Sequence, residues 1–558
     1  MDNLIKDTDP LENFTEEKQA KKKKMIIIGI ALILIIILVL FLIIFLSSPK
    51  KKNFGLIDMS LWEYNEEDKV YYQLQIPYCA NPKNTTYQNL GIFIPSNYLK
   101  CEKIGKYYNC LKNTEGKIKE YTSETAPIVF IVETPGYSAS TPLTKYKNFS
   151  QYTNEGIIYM YPGCRGRESG APSGLIDLKA SISYLRFNKD LIPGNMDKIF
   201  SFGMSGGGAQ SCLMGITGDV KEFIPYLENI GAITNQSNSI FGSQCWCPIT
   251  NLDKANSAYE WNLASSRTNL SSQLKIFSDK LKGDYVNYIN NAKFKDEMGN
   301  TLVLNDDIYS GSYYDYVIKK IEESFNNWVS DTQFPYTPQP DPGSIGFNNN
   351  IYKKNQNLNS TTYNNLTEYI NYLNELISTN WISYDSINKA KIKDIESFSK
   401  AVKKANKYIG AFDSLKKDTG ENELFGTNGN KEHFDKTLYE IVKGSEYESS
   451  FKSDLEKKDF LEKTKEDRVN MYNPLYYLMD YYNRTDSSLT PAKCFRINTG
   501  IFQSDTSVNT EINLALALLN YKKQSIDVKF EMVWEKKHVK AERKNDSDTN
   551  FIEWVKSK

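Results

Sequence analysis

The sequence predicts an α/β fold: a mainly parallel sheet covered by helices, interrupted by a large, mostly helical insertion and preceded by one transmembrane helix. Between Tyr71 and Trp261, short β-rich runs alternate with helical segments, and the same alternation returns near the C-terminus. Strands separated by helices favour a parallel sheet, because each crossover places a helix on one of its faces. A long uncharged apolar run near the N-terminus adds the membrane helix.

The predicted strands of the first half are short apolar runs bounded by Gly, Pro or Asn. They are "APIVFIVE" (126–133), "GIIYMY" (156–161), "KIFSF" (198–202) and "IGAIT" (230–234). Between the second and third runs, Leu175, Leu178, Ile182 and Leu185 share one face of a helix that we expect to end near Asn188. Near the C-terminus, "CFRINTG" (494–500) and "IDVKFEMVW" (526–534) predict two more strands, with a helix between them through "NLALALLNYKK".

A helix-prone, charged and tyrosine-rich stretch separates these two halves. A connection of this length inside one domain is usually an inserted subdomain, and we interpret it as a lid over the carboxyl edge of the sheet. The predicted organisation is a tail over 1–24, an anchor over 25–46 and a linker over 47–70. The first part of the core then covers 71–264, the lid covers 265–469, and the second part of the core covers 470–558.

The predicted anchor reads "MIIIGIALILIIILVLFLIIFL" from Met25 to Leu46. At about 1.5 Å per residue, this run is long enough to cross a hydrocarbon core of roughly 30 Å. A cleaved signal peptide is the alternative, but its apolar region would be shorter and would end in small residues. More lysines precede the run than follow it, which predicts a cytoplasmic tail and a large domain outside the cytoplasm.

Composition excludes several functional classes. The 558 residues carry 68 basic and 68 acidic side chains, so nothing indicates a nucleic-acid partner. We expect no metal and no cofactor, because His433 and His538 are the only histidines and "CWC" at 245–247 lacks a second ligand cluster. An oxidising compartment would allow disulfides among the eight cysteines, and Cys101 with Cys110 would close a short loop, although the pairing does not follow from sequence.

The segment "GMSGG" (203–207) carries the chemistry. It fits G-x-S-x-G, the nucleophile elbow, in which small neighbours let a strand and a helix approach while one serine, here Ser205, is exposed on a strained turn. A phosphate-binding loop is the alternative, but no lysine follows these glycines, and the spacing of a dinucleotide-binding turn is absent.

A serine nucleophile needs a base, and His538 follows the last predicted strand, where the chain order Ser, Asp, His requires it. We expect Asp505, after the preceding strand, to be the acid, although "SDTSVNTE" also reads as a helix N-cap. His433 lies in the predicted insertion, where we expect a surface or structural histidine. The backbone N–H groups of Gly206 and Tyr137 are the predicted oxyanion donors.

Long blocks of sequence resemble the bacterial-type tannase and feruloyl-esterase-like family of α/β-hydrolases. They are "YCANP", "YPGCRGRESGAPSGLIDLKASISYLRFN", "GMSGGGAQSCLMGITG", "CWCPITNLDKANSAYEWN", "MYNPLYYL" and "DTSVNTEINLALAL". The resemblance runs from about Tyr71 to the end. It implies a serine carboxylesterase with a lid, acting on small-molecule esters of phenolic acids.

Two positions depart from the family pattern. Some members carry D-x-D-T-S at the acid loop, and the first acid of that pattern is Gln503 here. The segment "HVKAERKND" after the histidine also differs from the glycine-rich continuation of galloyl esterases. The alternatives to an esterase are an inactive binding protein with the same fold and a serine peptidase. The oligomeric state does not follow from the sequence.

Overall fold

A nine-stranded mixed sheet forms the centre of the fold, with strand order β1-β2-β3-β9-β8-β10-β11-β14-β15. The computed structural model describes Met25 and residues 54–338, 361–486 and 488–558. The first three strands and β9 pair antiparallel, and every pairing from β9 to β15 is parallel. The strands are β1 (Glu63–Asn65), β2 (Val70–Pro77), β3 (Asn89–Pro95), β4 (Leu99–Ile104), β5 (Tyr107–Lys112), β6 (Lys117–Ile118), β7 (Tyr121–Thr122), β8 (Ile128–Val132), β9 (Ile158–Pro162), β10 (Ile199–Met204), β11 (Gly242–Trp246), β12 (Ile382–Asp385), β13 (Lys389–Ile392), β14 (Cys494–Gly500) and β15 (Asp527–Val533).

Helices cover the sheet and fill the connection between β11 and β14. They are α1 (Ser150–Thr153), α2 (Ser173–Phe187), α3 (Gly206–Ile216), α4 (Ile224–Asn229), α5 (Ala255–Leu263), α6 (Ser272–Ala292), α7 (Ser312–Asp331), α8 (Leu366–Glu375), α9 (Ile395–Val402), α10 (Gly420–Leu424), α11 (Lys436–Val442), α12 (Glu448–Leu455), α13 (Lys465–Met471), α14 (Pro474–Leu478), α15 (Val508–Leu519) and α16 (Ser547–Lys556). Helix α2 ends before Asn188, as predicted. Helix α16, which we did not predict, packs Phe551 against Phe202 and Trp554 against Phe200.

One predicted strand is wrong. Residues 230–234 form no strand, and the strand that follows β10 in the sheet is β11, in "GSQCW". Gly231 has a φ of 64°, and its carbonyl and that of Ile230 accept hydrogen bonds from the amides of Ala80 and Asn81. The apolar run is therefore tied to another loop, while β11 is buried along its whole length without β-branched residues.

The insertion reaches the carboxyl edge of the sheet. Lys403, just after α9, donates a hydrogen bond to the carbonyl of Gln503, in the loop after β14. Glu423 of α10 accepts one from Arg167, in the loop after β9, at 2.8 Å. Parallel strands carry their ligand sites at this edge, so the insertion contacts the loops expected to hold a site.

Part of the predicted linker belongs to the fold. Residues 54–70 include β1, and the Trp62 side chain is fully buried. The amide of Ile57 also donates to the side chain of Asn188 at 2.8 Å, at the end of α2. This segment thus closes one edge of the sheet and covers the end of a crossover helix.

The predicted membrane span at 25–46 lies outside the described residues except for Met25, as do the tail over 1–24 and residues 47–53. Within the described residues, none of the helices is both long and apolar enough to cross a bilayer.

A disulfide joins Cys101 and Cys110, which face each other across the β4–β5 pair. The six other cysteines are free and buried.

Candidate active site

Ser205 lies at a sharp turn between β10 and α3. Its φ of 60° and ψ of −124° lie outside the regions that non-glycine residues normally adopt, and its side chain is buried. A Cβ atom on Gly203 would approach the Gly207 carbonyl oxygen to 2.4 Å, and one on Gly207 would approach the Val132 carbonyl oxygen to 2.2 Å. Only glycine allows strand and helix to meet this closely, as a nucleophile elbow requires.

His538 contacts this serine. Its Nε2 lies 2.8 Å from Ser205 Oγ, although the two residues are 333 positions apart in the chain. Burial lowers the pKa of His538, an effect that the negative charge of Asp505 opposes and the cations of Lys407 and Lys403 reinforce. The imidazole is therefore held in its neutral form, which accepts a proton from a hydroxyl.

Gln503 occupies the position expected for Asp505. The Oε1 atom of Gln503 lies 2.5 Å from Nδ1 of His538. Among the described residues, the hydrogen-bond partners of the imidazole are Ser205 and Gln503. The predicted contact between Asp505 and the ring is therefore wrong, because Gln503 makes it instead. The loop after β14 turns the side chain at 503 toward the histidine and leaves Asp505 half-buried nearby.

The Gln503 amide has a second set of partners. Its Nε2 donates to Thr499 Oγ1 at 2.7 Å and to Glu511 Oε1 at 3.1 Å. The same Glu511 oxygen accepts from the hydroxyls of Thr499 and Thr506, at 3.2 and 2.9 Å. Glu511 is fully buried, as is Lys403 nearby. Burial raises the pKa of Glu511 and lowers that of Lys403, and the opposite charge of each partly offsets the shift of the other.

The structure brings the two predicted oxyanion residues together. A Cβ on Gly206 would lie 2.5 Å from the backbone nitrogen of Tyr137. Gly206 is the first residue of α3, and the first N–H groups of a helix have no partner within it. The Tyr137 N–H donates to the Thr134 carbonyl at 2.9 Å, in a turn where Tyr137 has a φ of 59°.

Two charged groups of the insertion, Lys407 and Glu421, lie near His538 and Asp505. The sequence analysis identified neither of them. The charge of Lys407 acts on His538 and on Glu421, and that of Asp505 acts on the same two groups. Burial raises the pKa of Glu421, and the charges of Lys407 and Arg167 and a hydrogen bond from its own backbone N–H oppose this shift. No motif marks such residues, because they come from an irregular connection.

Of the two alternatives for His433, the structure favours a structural residue over a surface one. It is buried, its Nδ1 lies 2.7 Å from Asp413, and its ring stacks on Phe451 at 3.5 Å between centroids.

The "CWC" motif forms no ligand pair. Cys245 contacts the Ser243 hydroxyl at 3.3 Å, whereas Cys247 donates to the Val539 carbonyl at 3.1 Å. In the described parts of the chain, no group of three His, Cys, Asp or Glu side chains is arranged to hold a metal ion.

Comparison with solved structures places this geometry in a known fold. The tannase of Fusobacterium nucleatum is 26% identical, with a TM-score of 0.65 over 88% of this chain and 94% of its own. The tannin acyl hydrolase of Lactobacillus plantarum is 22% identical, with a TM-score of 0.67 over 90% of this chain and 98% of its own. The chain has the fold of the bacterial tannases. A tannin acyl hydrolase in complex with ethyl gallate matches at 23% identity and a TM-score of 0.66, over 88% of this chain and 94% of its own.

No protein-family model matches the sequence, and no curated protein matches it either. The likeness to the tannases therefore rests on the fold and on the sequence blocks quoted above, which include the elbow of Ser205.

Proposed function

We propose that this protein is a membrane-anchored serine carboxylesterase that hydrolyses esters of phenolic acids through an acyl-serine intermediate. The contact of 2.8 Å between Ser205 Oγ and His538 Nε2, made on a strained elbow, carries the proposal. A serine and an imidazole at this distance form the nucleophile and base pair of acyl transfer. The similar solved structures are tannases, which supports ester hydrolysis over other acyl chemistry.

In the proposed mechanism, His538 takes the proton of the Ser205 hydroxyl as its oxygen attacks the ester carbonyl, and later returns that proton to the leaving alcohol. The N–H groups of Gly206 and Tyr137 stabilise the oxyanion, for which the Tyr137 N–H turns from the Thr134 carbonyl toward the substrate. Water then releases the acid from Ser205 by the same steps. Asp505 acts on the charge of the imidazole without touching it.

The substrate class rests on the groups beside the catalytic pair. Lys407, Glu421 and Asp505 supply a cation and two carboxylates without mutual ion pairs among the described residues. Carboxylates accept hydrogen bonds from phenolic hydroxyls, and a lysine donates a hydrogen bond to the oxygen of a phenolic hydroxyl. A benzoyl group with several hydroxyls fits this set, and one of the similar structures holds ethyl gallate.

The test is an ester panel on the full chain, with p-nitrophenyl acetate, ethyl gallate, a feruloyl ester and a peptide anilide. We expect ester turnover that falls by several orders of magnitude in Ser205→Ala and in His538→Ala, because the pair acts as a unit. Hydrolysis that survives Ser205→Ala would refute the serine mechanism. Faster cleavage of the anilide than of every ester would favour a peptidase.

We also propose that the anchor at 25–46 holds the esterase domain outside the cytoplasm. The lysine excess before the anchor supports this orientation, as does the Cys101–Cys110 disulfide, since disulfides persist in oxidising compartments. Protease added to intact cells should remove the domain and spare the N-terminal tail. Protection of the whole domain until lysis would reverse the orientation.

A further inference from the structure

A neutral amide stands where a hydrolase triad places its acid. Gln503 Oε1 contacts Nδ1 of His538, and an amide fits this position in only one of its two orientations. With the oxygen toward the ring, Nδ1 carries the proton and Nε2 is free to accept from Ser205. With the NH₂ group toward the ring, the proton moves to Nε2 and the serine loses its base.

The surroundings of Gln503 select the productive orientation. Both N–H groups of the amide have acceptors, Thr499 Oγ1 at 2.7 Å and Glu511 Oε1 at 3.1 Å. In the reversed orientation, the amide oxygen would face the Glu511 oxygen, and two acceptors would meet without a proton between them. Thr499 alone would not determine the orientation of the Gln503 amide, because a hydroxyl both donates and accepts hydrogen bonds.

The hydrogen bonds behind Gln503 converge on a single oxygen. Glu511 Oε1 accepts from Gln503, from the Thr499 hydroxyl at 3.2 Å and from the Thr506 hydroxyl at 2.9 Å. Three donors on one oxygen favour the ionised carboxylate, as does the Lys403 cation, and together they oppose the burial that raises the pKa of Glu511 to about 7. The fold therefore places the carboxyl group of Glu511 one amide away from the imidazole, with its acceptor oxygen toward Gln503.

We propose that Glu511 acts through Gln503 as the acid of this site, holding His538 in its productive tautomer and stabilising its charge when it becomes an imidazolium. Gln503 and Glu511 are positioning residues in this scheme, since neither touches the substrate. The scheme rests on the serine esterase mechanism proposed above. It accounts for a buried carboxylate and a buried glutamine that the two-residue contact of Ser205 and His538 leaves without a role.

The first test is the tautomer of His538, measured by ¹⁵N NMR of ring-labelled histidine in the full chain. The chain has only two histidines, and Gln503→Ala, which alters the surroundings of one ring, assigns the His538 signals. We expect the neutral Nδ1–H tautomer in the wild type and a growing share of Nε2–H in Glu511→Gln. A wild-type ring protonated on Nε2 would overturn the proposal without reference to any activity.

The second test exchanges the charge between the two positions. Glu511→Gln should lower kcat by roughly 10- to 100-fold with little change in KM, because it removes the carboxyl group behind the base and nothing that binds substrate. The double variant Gln503→Glu/Glu511→Gln places the carboxylate directly on Nδ1, and its kcat should return to within about tenfold of the wild type. A purely structural role for Glu511 would give no such rescue.

Glu432→Gln is the matched control, since Glu432 is an equally buried glutamate of the insertion, paired with Lys465 and Lys457. It should lower Tm and leave kcat unchanged. A normal kcat and tautomer in Glu511→Gln, or a double variant as slow as Glu511→Gln at comparable Tm, would overturn the proposal. Full turnover in Ser205→Ala would instead refute the esterase mechanism, while the NMR result would still decide what sets the tautomer.

Discussion

At the scale of single residues, burial and three nearby charged side chains shift the pKa of His538. Burial lowers its pKa, Asp505 opposes this shift, and Lys407 and Lys403 add to it. A general base works only when it is neutral, so the acid limb of kcat/KM follows the pKa of His538 in the free enzyme. That limb should therefore lie below the ordinary histidine value of about 6.5.

Two variants should move this limb in opposite directions. Asp505→Asn removes the charge that raises the pKa of His538, so the limb should shift to lower pH. Lys407→Met removes a charge that lowers it, so the limb should shift to higher pH. The measurement is kcat/KM against pH for p-nitrophenyl acetate. A loss of roughly 10⁴-fold in Asp505→Asn at all pH values would instead show that Asp505 orients the imidazole directly.

Hydroxylated and plain benzoate esters should separate the binding role of Glu421 from the chemistry. Glu421 is a buried carboxylate that forms no ion pair within the described residues, and it can accept a hydrogen bond from a phenolic hydroxyl. Glu421→Gln should lower kcat/KM for ethyl gallate by roughly tenfold or more and leave ethyl benzoate nearly unchanged. Equal losses on both esters would place Glu421 outside the pocket for the acyl group.

Sequence reasoning paired Ser205 with His538 because each follows a strand and histidine is scarce, and the structure brings the two side chains to within 2.8 Å of each other. It chose Asp505 over Gln503, since a carboxylate is the usual partner of an imidazole. Two residues that lie two positions apart on one irregular loop cannot be separated by pattern, because only the backbone path decides which side chain turns inward. Nothing in the sequence indicates that Glu511 is functional either, since it lies in α15, an apolar helix whose pattern predicts a place in the hydrophobic core.

At the scale of elements, the elbow between β10 and α3 forms only because its glycines carry no Cβ atoms. The helix N-terminus lies so close to β8 and β10 that a methyl group on Gly207 would meet the Val132 carbonyl. Sequence predicted this junction because its glycines are dense and adjacent. The sequence did not predict β11, because it contains no β-branched residues and the strand is stabilised by burial on both faces of the sheet.

A pair of glycine substitutions should show this dependence. Gly207→Ala should destabilise the fold by roughly 1–3 kcal/mol and distort Ser205, because the backbone must move to admit the methyl group. Gly283→Ala, in the middle of α6, has open space around the new atom and should stabilise by roughly 0.5–1 kcal/mol. Denaturant unfolding and ester turnover provide the two measurements. Equal stability of both variants would contradict the close approach at the elbow.

At the scale of the whole molecule, the site joins parts of the chain that lie on either side of the insertion. The first part supplies the proposed nucleophile and oxyanion donors, the insertion supplies Lys403, Lys407 and Glu421, and the last part supplies the proposed base. Sequence predicted this division from the interruption of the strand and helix alternation. The contacts across it depend on tertiary packing and follow no local pattern.

The β4–β5 hairpin contains none of the proposed site residues and should contribute to stability alone. Replacing Cys101 and Cys110 together by serine should cost roughly 2–3 kcal/mol, because the disulfide restricts the unfolded chain. Turnover should not change, and a reducing agent should destabilise the wild type but not the double variant. Unequal losses, with activity falling while Tm holds, would connect the hairpin to the site.

The distance of 333 residues between Ser205 and His538 also sets a delay during synthesis. At about 5–20 residues per second, a ribosome needs on the order of half a minute to add the base after the nucleophile. Throughout that interval the emerging polypeptide carries an elbow serine with no group to deprotonate it. In the proposed mechanism, ester hydrolysis therefore requires a nearly finished chain, and we expect a translation product that stops inside the insertion to be inactive toward esters.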